Sequence, residues 1–172
     1  GPTKDEWKWG VESMRAVAEH AQKTGVMLAV EYLNRFETYF LTCAADTARF
    51  IAEVNHPSCR MMYDTFHAHI EEKSIPAAIR SLKGYLAHVH ISENDRSTPG
   101  AGNVRWAENF DTLKEIGYDN LMVVEAFALP DGRRIMAVPF DGEGASPVGA
   151  ASVAFEGEFT NGVLYGIDWG LS

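Results

Sequence analysis

Four short apolar runs along the chain each end in one side chain that can bind a metal ion. The runs are VMLAVE, CRMMYD, LAHVH and LMVVE, and they end at Glu31, Asp64, His90 and Glu125. Their composition predicts buried strands, and their ends lie 26 to 35 residues apart, enough for a strand, a covering helix and loops. Because parallel strands present the side chains at their carboxyl ends on one face, we expect these residues to meet at the rim of a parallel α/β barrel.

The sequence between these runs predicts covering helices. Apolar residues recur at helical spacing over residues 5–24, just before Gly25, and again from Trp106 to Ile116. The predicted order is helix 5–24, strand 26–33, helix 43–54, strand 59–66, helix 75–83, strand 86–92, loop 93–104, a helix from Trp106 and strand 120–127. A complete barrel of eight strands needs about 250 residues. Four βα units therefore predict an α/β fold that is a partial (β/α)8 TIM barrel.

The predicted half barrel occupies residues 1–127, and residues 128–172 form a tail of different character. Eight of the fifteen glycines and three of the seven prolines lie in this tail, without sustained helical periodicity. At the other end the chain begins with Gly-Pro, which is consistent with a tag scar or with a piece of a longer sequence.

Composition restricts the class of partner. A hydrophobic content of 46% is enough for a folded core, and a net charge of −9 would repel a nucleic-acid backbone. The apolar runs are too short to cross a membrane, and the N-terminus lacks a secretory pattern, so a cytoplasmic protein is expected. Cys43 and Cys59 show no CxxC spacing and receive no predicted role.

Three carboxylates and one imidazole are a donor set for a hard or borderline divalent ion. Such a set suits Mn²⁺, Mg²⁺ or Co²⁺ better than a structural zinc. His88 and His90 point to the same side of a strand, and His90, nearer the carboxyl end, is the better candidate ligand. An exchange of these two histidines stays open.

Further polar residues follow the strand ends. His67 and His69 fall in the predicted loop after Asp64, where a surface histidine is the alternative to a contact between His67 and a ligand. Arg96 lies in the Gly/Pro loop, where a guanidinium can hold sugar hydroxyls or a carboxylate. Taken without further information, solvation is the favoured interpretation of both Arg96 and Glu37.

Several segments resemble the ketose 3-epimerases, the D-tagatose and D-psicose 3-epimerase group of the xylose-isomerase-like barrels. They are EYLNRFETY at 31–39, YDTFHAHIEE at 63–72, HVHISENDRSTPGAG at 88–102 and VVEAF at 123–127. The resemblance covers roughly residues 5–127 and looks like the second half of that barrel. His69 departs from the family, which more often has Asn there, and this difference is expected to affect substrate preference.

The resemblance implies a role for each candidate residue. One metal ion, most often Mn²⁺, would be bound by Glu31, Asp64, His90 and Glu125. Glu31 and Glu125 would also act as the acid and base. The sugar would be contacted by Glu37, His67 and Arg96.

The function implied is metal-dependent epimerisation of a free ketose at C3 through a cis-enediolate, without an organic cofactor. A related hydroxypyruvate or aldose-ketose isomerase would use similar enediolate chemistry. A half barrel without catalysis is a second alternative, because its open sheet edges favour association into a homo-oligomer or with a partner. A phosphodiesterase acting on abasic DNA fits poorly with the negative charge.

Overall fold

The computed structural model describes residues 1–126, and the predicted tail over 128–172 lies outside the described residues. The strands are β1 Leu28–Val30, β2 Cys59–Asp64, β3 Leu86–Ile91 and β4 Met122–Val124. The helices of this part of the chain are α1 Lys4–Thr24, α2 Ala44–Val54, α3 Thr65–Glu71, α4 Ile75–Ser81 and α5 Trp106–Glu115. The four strands are parallel and follow one another in the order β1-β2-β3-β4. This order confirms the predicted α/β class and its succession of βα units.

Local sequence signals set the ends of the helices. Thr3 and Glu6 form a capping box at the start of α1, and Gly25 ends that helix at φ 71°. Ser74 caps α4 and accepts a hydrogen bond from the main chain of Ala77, with Pro76 in the first turn. These signals explain why the predicted helices lie within a few residues of the observed ones.

The hydrophobic core joins β2 to the helices. Phe50 and Val54 of α2, Tyr63 of β2, and Ile79 and Leu82 of the α4 region are all 2% exposed or less. Side chains alternate along a strand, so Tyr63 enters this core while the next residue of β2 points the other way. The core thereby holds the carboxyl ends of the strands in a fixed arrangement.

The segment after β2 differs from the prediction. Strand 59–66 and a loop were expected, but β2 ends at Asp64 and α3 begins at once. Asp64 Oδ1 accepts the Phe66 main-chain N–H at 2.7 Å, which caps the new helix. His67 lies on this helix at 1% exposure, so the surface-histidine alternative is wrong.

The outer strands are shorter than predicted. Residues 26–33 were expected to form β1, but Val26 donates to the Ala21 carbonyl at 2.9 Å and so belongs to the cap of α1. Of the strand predicted over 120–127, the described residues place Met122–Val124 in β4, and the Glu125 N–H also donates to the Ile91 carbonyl at 2.9 Å. Within residues 1–126, no helix combines the length and apolar character needed to cross a bilayer.

Candidate metal centre

The ends of the four strands bring the four candidate ligands together. Asp64 and His90 are register partners on β2 and β3, while Glu31 and Glu125 directly follow β1 and β4. Each of the four offers one ligand atom, and these atoms all lie within 4.8 Å of one another. Parallel pairing in chain order therefore converts four distant residues into one cluster.

Two buried atoms of the cluster lack a hydrogen-bond partner among the described residues. They are Glu31 Oε1 and His90 Nδ1. Buried polar atoms are rarely left unpaired, since the cost is about 1–3 kcal/mol each. Both atoms can donate a lone pair to a cation, so the donor set and its unpaired atoms fit a divalent metal ion.

Burial and mutual charge shift the pKa values of the cluster. Burial raises the pKa of Glu31, and the charge of Glu125 adds to the rise. Burial also raises the pKa of Asp64, to about 7, against the opposing charge of Arg96. The contact with His90 lowers the pKa of Glu125 to about 2, although burial opposes this. Burial disfavours a charged His90, but the contact with Glu125 and the charges of Glu125, Glu31 and Asp64 together raise its pKa. The cluster thus resists holding three ionised carboxylates unless a cation is close.

Arg96 supplies a positive charge at the edge of the cluster. Its Nη1 donates to Asp64 Oδ2 at 3.0 Å and also contacts Glu125 Oε2. The guanidinium carbon lies 3.9 Å from the centre of the Phe66 ring, and the side chain is 12% exposed. This placement excludes the solvated alternative and puts a hydrogen-bond donor next to the candidate ligands.

His67 and Glu37 lie on one side of the cluster. His67 Nε2 is 3.8 Å from Glu31 Oε1 and 3.1 Å from Arg96 Nη2. Burial lowers the pKa of His67 to about 4, so the ring is neutral near pH 7. Glu37 is exposed, and its Oε1 accepts a hydrogen bond from Asn34 Nδ2 at 2.6 Å.

His88 and His90 are close but differ in position. Their rings are in edge contact with centroids 5.0 Å apart, and His90 belongs to the cluster of candidate ligands. His88 lies earlier on β3, and burial lowers its pKa. The geometry therefore favours His90 as the ligand, while His69 on α3 lies outside the cluster.

Two buried polar residues near the centre were not singled out from the sequence. Asn34, 2% exposed, contacts both Glu37 and His67. Glu93, 0% exposed, accepts hydrogen bonds from the main chain of Asn94, Gly100 and Val104 and from the Trp106 indole. Both lie inside segments that carry the family resemblance, which is the signal that could have found them.

A parallel α/β sheet with three carboxylates and one imidazole at its strand ends is typical of α/β barrels that bind a metal ion at the rim. Over residues 1–139 the chain matches the xylose isomerase-like TIM barrel family. The chain belongs to this family, which confirms the predicted barrel fold.

Within this family, the chain is similar to individual 3-epimerases. The chain is 42% identical over 129 residues to a D-psicose 3-epimerase of Ruminiclostridium cellulolyticum, a match that covers 75% of this chain and 44% of the relative. An L-ribulose 3-epimerase of Mesorhizobium japonicum is 38% identical over 127 residues, with 74% and 43% covered. These relatives confirm the predicted resemblance to ketose 3-epimerases.

A solved structure agrees with the sequence matches. The crystal structure of D-psicose 3-epimerase with D-tagatose from Clostridium cellulolyticum H10 superposes with a TM-score of 0.72 at 41% identity. The superposition covers 75% of this chain and 45% of that one. The chain thus spans less than half the length of the relatives it matches, and the prediction that this is the second half stays a prediction.

Proposed function

We propose that this chain carries the catalytic metal centre of an enzyme that epimerises a free ketose at C3 through a cis-enediolate. The observation that carries the proposal is the convergence of Glu31, Asp64, His90 and Glu125 within 4.8 Å at four consecutive strand ends. The similarity to D-psicose and L-ribulose 3-epimerases supports a ketose as the substrate.

The four residues would hold one divalent ion, Mn²⁺ first and Co²⁺ or Mg²⁺ as alternatives. Such an ion, when bound, stabilises the negative charge that develops on O2 and O3 of the sugar. Asp64 and His90 belong to the inner strands and have no further role in the proposal. Glu31 and Glu125 would also act on the sugar, the roles that the resemblance to the ketose 3-epimerases implies.

Glu31 and Glu125 would be the acid and base pair, and without the ion burial raises the pKa of Glu31 while the contact with His90 lowers that of Glu125. The carboxyl that is ionised takes the proton from C3, and the electron pair of the C–H bond passes into the enediolate. The other carboxyl, which is protonated, then returns a proton to the opposite face of C3. The two residues exchange roles for the other epimer, and proton exchange with solvent restores the starting state.

The sugar would be held by Glu37, His67 and Arg96. Glu37 accepts hydrogen bonds from sugar hydroxyls, while Arg96 is always charged and donates. His67 is neutral, and its Nε2 lies 3.8 Å from Glu31 Oε1 and 3.1 Å from Arg96 Nη2. Together these residues position C3 between the two acid–base carboxyls.

Deuterium incorporation tests the proton transfer. The metal-loaded chain is incubated with D-psicose in D₂O, and the recovered ketoses are examined by NMR and mass spectrometry. We expect deuterium at C3 in an epimer such as D-fructose. Interconversion without label at C3 would contradict the mechanism, and formation of an aldose would favour the isomerase alternative. The variants Glu31→Gln and Glu125→Gln should each abolish the exchange, whereas Glu12→Gln, on the exposed side of α1, should not.

A further inference from the structure

Asn34 links two of the proposed sugar contacts. It lies in the segment between β1 and α2 and is 2% exposed, although it is polar. Its side-chain Nδ2 reaches both Glu37 Oε1 and His67 Nδ1, and its main-chain N–H also reaches His67 Nδ1. No other residue described here is hydrogen-bonded to both side chains.

The hydrogen bonds of Asn34 identify its oxygen and its nitrogen. Oδ1 lies 3.0 Å from the Phe36 main-chain nitrogen, which can only donate. The other atom is therefore Nδ2, and it lies 2.6 Å from Glu37 Oε1, a carboxylate oxygen that accepts. One oxygen of Glu37 is thus held in place, even though Glu37 itself is exposed.

The main chain of Asn34 identifies the tautomer of His67. The Asn34 N–H donates to His67 Nδ1 at 3.0 Å, so this nitrogen carries no hydrogen. An imidazolium would carry a hydrogen on both ring nitrogens, and the ring is therefore neutral with its hydrogen on Nε2. Nε2 lies 3.1 Å from Arg96 Nη2, which is also a donor. Two donors cannot bond to each other, but both can donate to one oxygen placed between them.

We propose that Asn34 is a positioning residue that presents His67 as an Nε2–H donor and aligns Glu37 as an acceptor for one polyhydroxylated ligand. The class of ligand rests on the proposed ketose epimerase function, whereas the tautomer and the alignment rest on the geometry alone. His67 then donates to a sugar oxygen beside Arg96 and never accepts from a sugar hydroxyl. Asn34 acts on the sugar only through these two neighbours.

Nitrogen-15 NMR tests the tautomer without sugar or metal. The full chain is labelled with ¹⁵N, and long-range ¹H–¹⁵N correlations are recorded near pH 7. The signals of His67 are identified by their loss in His67→Gln. We expect the proton on Nε2 and an unprotonated Nδ1 in the intact chain. A proton on Nδ1 would overturn the proposal, whatever the outcome of any activity measurement.

Calorimetry tests whether Asn34 acts through Glu37. D-psicose is titrated into the Mn²⁺-loaded chain and into Asn34→Ala, Glu37→Ala and the double variant. Each single change should weaken binding by about tenfold, the usual loss for a hydrogen bond to a charged group. The double variant should bind no more weakly than Glu37→Ala, because residue 34 then has no Glu37 to align, and its main-chain N–H still donates to His67 Nδ1 after the substitution. Additive losses would overturn the alignment through Glu37.

Two controls separate the possible failures. Asn120→Ala removes an exposed asparagine outside the centre and should leave sugar affinity unchanged. If Asn34→Ala does not fold, Asn34→Asp replaces it, since Asp keeps the acceptor for Phe36 but repels Glu37. Absence of sugar binding to the intact chain would refute the proposed function, and the tautomer measurement would still decide the role of Asn34.

Discussion

Asp64 has a different contact for each of its carboxylate oxygens. Oδ1 accepts the Phe66 N–H and starts α3, while Oδ2 accepts from Arg96 at 3.0 Å at the edge of the candidate metal centre. The residue that ends β2 is therefore also the one that brings His67 into position on α3. A substitution at this site can be chosen to remove one contact and keep the other.

Asp64→Asn keeps an oxygen that can cap α3 but removes the negative charge. We expect this variant, and likewise His90→Ala, to bind Mn²⁺ at least about 100-fold more weakly, because losing even an outer partner of a ligand costs 10–100-fold. Binding is measured by isothermal titration calorimetry, with His20→Ala on the exposed side of α1 as control. Unchanged Mn²⁺ affinity in a double Asp64→Ala and His90→Ala variant would refute the assignment of the ligands.

At the scale of elements, the sequence predicts the helices and strands whose apolar residues recur at regular spacing and whose ends carry capping residues. The helices α1 and α5 and the strand β3 follow apolar spacing, so their positions were predictable. The short helix α3 has too few residues for a period, and its start depends on the Asp64 cap, which only the structure reveals. The four candidate ligands were predictable because each stands at the end of an apolar run. Asn34 and Glu93 were not, because their hydrogen bonds are made in loops, where no regular spacing marks a residue.

Tyr63 of β2 is hydrogen-bonded to α5, and Tyr32 is a matched tyrosine without such a bond in the described part of the chain. Both tyrosines are 0% exposed, and their rings lie 6.5 Å apart. Tyr63 donates its hydroxyl hydrogen to buried Asn109 of α5, whereas the Tyr32 hydroxyl has no hydrogen-bond partner among the described residues. We expect Tyr63→Phe to lower the free energy of unfolding by about 1–3 kcal/mol and Tyr32→Phe to change it little. Urea unfolding of both variants decides this, and equal effects would contradict it.

Glu93 organises the loop between β3 and α5, which carries Arg96. Burial alone would raise the pKa of Glu93, but hydrogen bonds from the main chain of Gly100 and Val104 and from Trp106 outweigh it and lower the pKa below 4.5. A lowered folded-state pKa means that ionised Glu93 stabilises the fold above about pH 4.5, and this stabilisation is lost as the pH falls through the folded-state value.

We therefore expect Glu93→Gln to destabilise the chain at pH 7 by about 1–3 kcal/mol, because Gln keeps one acceptor oxygen, whereas the NH₂ that replaces the other carboxylate oxygen cannot accept from the donors it then faces. The difference from the original chain should shrink as the pH falls below 4.5. Thermal unfolding of both chains between pH 3 and 7 measures it. Glu19→Gln, at an exposed site on α1, is the control. A constant difference over this pH range would contradict the role given to the carboxylate.

At the scale of the whole molecule, the described sheet has two outer strands. Among residues 1–126, β1 pairs only with β2, and β4 pairs only with β3. Exposed apolar side chains lie beside both, Met27 at 52% before β1 and Leu121 at 69% before β4. Unpaired strand edges with apolar neighbours favour association with another chain. The candidate metal centre uses only the ends of these four strands, so it can form without further strands.

We therefore expect this chain, as given, to associate and to turn over a ketose about 100-fold or more slowly than its relative from Ruminiclostridium cellulolyticum, since poor substrate closure alone can cost that much. Analytical ultracentrifugation and an epimerase assay with D-psicose are run on the same samples. Leu121→Lys places a charge beside the outer strand β4 and should weaken association. Val17→Lys places the same charge on the exposed side of α1 and should leave association unchanged. A monomer with turnover equal to that of the relative would refute this prediction, because one copy of the chain as given would then suffice for both the chemistry and the enclosure of the sugar.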